Sequence, residues 1–407
     1  MTDAPVFDRG RVLGLLALAV ALLLAATLWV PVNPQLMLTN PVYYHANLLA
    51  KMEPRALLGT LAGLLWLTPT GFIVLIQVFH GIWAGLLLWG LSRSRPGQGV
   101  PSLWAVGLLG FLFVFNTPVF LSNVNSGLVD IPVFTLSLIA MLVLTDGDDA
   151  PSSVRLAVGA AIMMLAVVGH EKSIFDAGLI GAWLLWKAGW RKAAAYGLPV
   201  IAFYVLFIAV NADAKNAHNW TPTDYLKVVP NLWDYLFTNS FNLWGILLAG
   251  GLLWVVLGWA ATRFVRQGRQ SGGRGEAFRR AILLLVLVGL SLAPIAVAWD
   301  TNRLVAVMWI PTFLLVRETG MAAAMTIDRR LLAAGATMAV LHLFVPPAFA
   351  LRMGALPVNC YGEAVYMALF RTYTKDFESY PRWLTLRIGA QPAFTKGNAC
   401  WPPRLVR

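Results

Sequence analysis

Unbroken apolar runs of bilayer length recur along this chain. Val12 to Val30 carries no charged residue, and neither does Ala281 to Trp299. Each is close to the roughly 20 residues that a helix needs to cross a hydrocarbon core. Inside lipid, every backbone N–H and C=O must be bonded within its own segment, so such runs are helices. An outer-membrane barrel would alternate polar and apolar residues along each strand, and these runs do not alternate. Composition agrees with this reading. Of 407 residues, 58% are hydrophobic and 12% charged, whereas soluble domains carry about a quarter charged residues. An ordinary cytosolic enzyme, a disordered chain and a secreted disulfide scaffold are excluded. The expected fold is an all-α polytopic bundle.

After the first run, spans are expected at about Gly71–Leu91, Leu103–Leu121, Gly127–Thr145, Val154–Gly169, Ile174–Trp186, Ala193–Val210 and Phe241–Ala261. Three more follow at Ala281–Trp299, Leu304–Val316 and Leu331–Phe349, which makes about eleven. Ala56–Leu67 is too short to span and reads as an interfacial helix. The opening segment is basic, but its apolar run is too long for a signal peptide and no small-residue cleavage site follows. It reads as a first helix with its N-terminus inside.

Net charge is +12, from 31 Lys and Arg against 19 Asp and Glu. On a soluble protein this excess would point to nucleic acid. Here it records orientation. Alternate loops hold most of the Lys and Arg, and the loops between them hold only Lys51, Arg55, Lys172, Lys215, Lys227 and Arg303. The positive-inside rule makes the rich loops cytoplasmic. Four parts result: an N-terminal bundle over 1–262, a flexible basic cytoplasmic loop over 263–280, C-terminal helices over 281–350, and an outer tail over 351–407. The basic loop also offers charge to anionic lipid headgroups. Cys360 and Cys400 both fall in the tail, where a disulfide is chemically allowed.

Charges beside apolar helices are candidates for function because lipid disfavours them. His170-Glu171-Lys172 forms the outer tip of a helical hairpin, with Asp176 just beyond. A carboxylate beside His and Lys suits general-base work or phosphate binding. Asp300-Thr301-Asn302-Arg303 lies at the same face, where either Arg303 holds a phosphate bidentately with Asp300 positioning it, or the two form a pair that closes a tight turn. Asn125 and Asp130 flank the opening of another helix, Asp130 as a first-turn acid or a cavity residue. The first outer loop carries Tyr43, Tyr44 and His45, either interfacial aromatics and a polar histidine or parts of a site. His80 and His342 lie inside apolar runs and read as bonded core residues. The sequence has no P-loop, GxGxxG, CxxC or HExxH motif. No cofactor is called for, and a divalent metal is compatible but not indicated.

The layout resembles integral-membrane glycosyltransferases of the GT-C type. The likeness rests on Val42-Tyr43-Tyr44 in the first outer loop, the interfacial helix after it, and Asn125-Ser126-Gly127-Leu128 opening a helix. It implies a site at the outer face, a polyprenyl-phosphate-linked sugar donor and a glycan or glycolipid acceptor. The departure is the acidic residue that the family carries early in that loop. Thr39 and Asn40 stand there, and Glu53 is the loop's one acid. The base then comes from Glu171, His45 or Glu53, or the chemistry differs. The leading expectation is a glycosyltransferase of the cell envelope in a bacterial inner membrane. Glu171, with His170 beside it, would deprotonate the acceptor, and Lys172 and Arg303 would bind phosphate. The alternatives are a transporter or flippase for a lipid-linked or small anionic substrate, a surface-polysaccharide polymerase or ligase, and a non-catalytic assembly subunit. Membrane lipid is an expected partner and nucleic acid is not.

Overall fold

The fold is taken from a computed structural model that describes residues 9–29, 55–93, 99–116, 130–146, 150–211, 250–296 and 306–344. It also describes two three-residue strands, Phe349–Leu351 and Gly354–Leu356, paired antiparallel. The other described elements are helices. In order come α1 (Arg9–Trp29), α2 (Leu57–Leu64), α3 (Pro69–Ser92), α4 (Leu103–Val114), α5 (Asp130–Thr145) and α6 (Ser153–Gly169). Then follow α7 (Ser173–Ala188), α8 (Trp190–Val210), α9 (Leu253–Leu292), α10 (Trp309–Glu318), α11 (Met321–Ile327) and α12 (Arg329–Phe344). Three stretches are long and apolar enough to cross a membrane: Arg9–Ala26, Thr70–Ser92 and Trp190–Val210. α4, α5 and α6 are shorter apolar helices. The chain is thus a helical membrane protein.

Local chemistry sets the helix ends. Thr68, Ser102 and Ser152 each accept a hydrogen bond from a first-turn amide, capping α3, α4 and α6. Pro69 opens α3, where its missing N–H would have had no partner anyway. Gly189 separates α7 from α8 at φ +83°, a left-handed angle that suits glycine. Pro199 lies inside α8, a placement that membrane helices tolerate.

The interior is aromatic. Trp309 meets Trp83 edge-on at 5.7 Å and Phe134 at 5.9 Å, a preferred geometry for ring pairs. The outward faces are apolar too. Leu13, Leu16, Val20 and Leu24 of α1 are all more than half exposed, at spacings that line one side of the helix. Such a stripe suits acyl chains, not water.

Two differences from expectation stand out. Residues 263–280 are not a flexible loop. α9 runs 40 residues and leaves helical geometry only at Gly272 and Gly273, so it is a hairpin of two arms. Arg280 locks the arms together, donating to the Phe264 carbonyl at 2.9 Å and lying 4.6 Å above its ring. The second difference is the end of this hairpin. Its helix stops at Leu292 and passes into a 3-10 turn, Ala293–Ala296, so the described helix is shorter than the Ala281–Trp299 run.

Side-chain bonds sort the helix ends into two sets. Arg11 donates to the carbonyls of Ser92 and Pro101, both at 3.0 Å. Asp146 takes Arg93 and Arg317, each at 3.3 Å. Lys187 pairs with Glu318 at 2.7 Å, and Gln267 donates to the Thr319 carbonyl at 3.2 Å. The start of α1, the ends of α3, α5, α7 and α10, and the α9 hairpin are joined by these bonds. The opposite ends carry a different set of charges.

Candidate functional site

The second set assembles where α6 ends and α7 begins. His170 ends α6 in an extended conformation, at φ −165°. Glu171 and Lys172 make the turn, and α7 starts at Ser173. The turn faces the first residue of α5, Asp130, and the segment leading into α2.

Glu171 is clamped. Arg55 reaches its two carboxylate oxygens at 2.5 and 3.2 Å, the fork geometry of a strong ion pair. Arg55 sits at φ +67°, a left-handed angle uncommon for a residue with a side chain. His170 Nδ1 lies 3.2 Å from a Glu171 oxygen and 3.2 Å from the backbone N of Lys172. That nitrogen cannot serve both at once. Protonated, it donates to Glu171; bare, it accepts from the Lys172 amide. Burial by itself would raise the Glu171 carboxyl. The Arg55 guanidinium and the His170 ring outweigh it and hold the group well below the usual carboxylate range. Glu171 is therefore a bound anion. In this state it is a weak base.

Lys172 is buried and forms an ion pair with fully buried Asp130. Its ammonium also lies 5.0 Å from the Phe134 ring centre, within cation–π range. One helical turn on, Asp176 is fully buried and accepts from Ser137 at 2.7 Å. Its other oxygen, the Ser173 hydroxyl and the Tyr196 hydroxyl find no hydrogen-bond partner among the described residues. Two linked layers result. Arg55, His170 and Glu171 form an outer layer, with 14% and 28% of the Arg55 and Glu171 side chains exposed. Lys172, Asp130 and Asp176 form a buried inner layer.

Four of the expected site residues, His170, Glu171, Lys172 and Asp130, thus come together. Tyr44, His45, Asn125, Asp300 and Arg303 lie outside the described residues, as do Glu53, Cys360 and Cys400. Lys172 is not poised for phosphate, because Asp130 already holds it. Asp130 is more than a first-turn acid, since it is the counter-ion of a buried lysine. Sequence reasoning missed Arg55 as the partner of Glu171, although it counted Arg55 among the few outer cations. It also gave no role to Asp176, which stands four residues after Lys172 and hence on the same helix face. No group of three or more His, Cys, Asp or Glu side chains is arranged to hold a metal ion among the described residues.

No protein-family model, curated protein or solved structure matches the chain.

Proposed function

We propose that the protein transfers a sugar from a polyprenyl-phosphate carrier at the outer face of a bacterial inner membrane. The observation that carries this reading is the outer layer of charge: Arg55, His170 and Glu171 gathered at one end of an apolar bundle. In this reading about eleven spans cross the membrane, the N-terminus is cytoplasmic and the C-terminal tail is periplasmic. The donor lipid lies along the helices, and its phosphate meets Arg55. Once Arg55 turns to phosphate, Glu171 loses its strongest counter-charge and gains a neighbouring anion. Both changes raise its affinity for a proton. Donor binding thus converts a spent carboxylate into the base for the acceptor hydroxyl. His170 steers that proton through its Nδ1. The buried Lys172–Asp130 pair holds the turn in place. Arg303, Asp300, Asn125, Tyr44 and His45 remain candidates to complete the site around the glycan or glycolipid acceptor.

The test uses purified protein, a labelled polyprenyl-phosphate sugar and a crude envelope acceptor. Glu171→Gln is expected to abolish transfer while the protein still folds and purifies. Unchanged transfer by this variant sinks the assignment. A second reading, a surface-polysaccharide polymerase or ligase, is favoured by the two basic side chains flanking Glu171, a style of site that needs no carboxylate base. It predicts that Arg55→Ala is more damaging than Glu171→Gln, and that the product grows or moves as a whole chain.

A further inference from the structure

We infer that the α9 hairpin is a binding finger for anionic phospholipid headgroups. The inference rests only on membrane insertion and not on the transfer chemistry. Residues 263–280 hold six arginines against one glutamate. Two of the six are used inside the hairpin or held close to it: Arg280 bonds Glu276 and the Phe264 carbonyl, and Arg263 is only half-exposed. The other four, Arg266, Arg269, Arg274 and Arg279, are exposed. Arg279 comes within 3.4 Å of Glu276 yet stays 68% exposed, so that pair leaves most of its charge available.

The arrangement of apolar residues beneath those arginines identifies the occupant. On the first arm, Val255, Gly258, Thr262, Arg266 and Arg269 are all exposed and recur at three- and four-residue steps, which places them on one helix face. On the second arm the exposed face runs Arg274, Phe278 and Ile282 at four-residue steps, then the adjacent Leu285 and Val286, three and four residues further on. Phe278 is 67% and Leu285 74% exposed. Each arm therefore presents a stripe that is apolar or small toward the bundle and ends in arginine at the tip. The outward order on the second arm is aliphatic, then aromatic, then cationic. That order matches the depth profile of a lipid: acyl chain, interface, charged head. A nucleic acid or an acidic protein would complement the arginines but not the aliphatic half of each stripe. Orientation by positive charge alone needs neither the collinearity nor the exposed Phe278. The occupant is a phospholipid with a net negative head.

The test loads the detergent-purified full chain with an equimolar mixture of phosphatidylglycerol and phosphatidylcholine of matched acyl chains. After repurification, the retained lipids are quantified by mass spectrometry. Wild type is expected to enrich phosphatidylglycerol roughly tenfold, because each surface arginine favours anionic lipid appreciably. R266Q/R269Q/R274Q/R279Q should fall to near parity, and the matching four-lysine variant should keep the enrichment. Salt gives a second readout that needs no variant. Raising NaCl to about 0.5 M should erode the wild-type enrichment by screening. Parity in wild type, enrichment unchanged in the glutamine variant, or enrichment indifferent to salt would each overturn the proposal.

Discussion

Lys172 and Asp130 show what a charge inside an apolar bundle requires. Each is tolerable because the other is there. Removing one leaves an uncompensated buried ion, a change that typically destabilises by about 3–5 kcal/mol. Lys172→Met should therefore lower the melting temperature in detergent sharply. Lys172→Met with Asp130→Asn should recover most of the loss, since the remaining pair is neutral. If the double variant melts no higher than the single one, the pair is not the source of the effect. Glu171 gives a different signature. Its folded pKa is depressed below the ordinary glutamate value of 4.5. A depressed carboxylate contributes stability that is full above its unfolded pKa and lost as pH falls through its folded one. The Arg55–Glu171 contribution should thus be complete at neutral pH and fade only under acid, below about pH 4.5. Glu171→Gln should flatten the acid limb of a stability-versus-pH curve and leave the neutral-to-alkaline side parallel to wild type.

Helix packing here depends on close approach between elements. A Cβ added at Gly159 of α6 would come within 2.7 to 2.9 Å of three Leu144 side-chain atoms on α5. Small residues at such crossings are how membrane helices gain packing contact. Gly159→Ala should force Leu144 or the helix to move and reduce stability by about 1–3 kcal/mol, read as a lower melting temperature; Gly159→Ala/Leu144→Ala should relieve the clash. At this scale much was legible beforehand. The runs at Leu103, Val154, Ile174 and Ala193 become α4, α6, α7 and α8, because an apolar run of fixed length has one way to satisfy its backbone in lipid. The α9 hairpin was not legible. A stretch rich in Arg, Gly, Ser and Gln reads as loop by composition, and the bond that closes the two arms, Arg280 to the Phe264 carbonyl, joins residues 16 positions apart. The site was half legible for the same reason. His170-Glu171-Lys172 announces itself as charge between apolar runs. Its partners do not, because Arg55 stands 116 positions from Glu171 and Asp130 42 from Lys172. Pairings that long-range are set by how helices pack, which a local pattern does not encode.

Over the whole molecule, the charges divide between two ends of the bundle. α7 carries the division along its own length. It leaves the Glu171 turn at Ser173, and Lys187 in its last turn pairs with Glu318 beside the hairpin. Its 16 residues rise about 24 Å, enough to separate the two ends by most of a hydrocarbon core. One end holds the Arg55–His170–Glu171 layer, and the other holds the arginine-rich finger. In the proposed reading a membrane lies between them, with the carboxylate end facing out. Membrane-impermeant maleimide labelling distinguishes the two ends. Two single-cysteine proteins are made in a background with Cys360 and Cys400 changed to serine. One carries Trp66→Cys, a position 92% exposed beside α2, and the other carries Ser271→Cys at the hairpin tip. In intact cells Trp66→Cys should label readily, and Ser271→Cys only after permeabilisation. Equal labelling of both positions in intact cells, or the reverse pattern, would rule out a membrane between the two ends in this orientation.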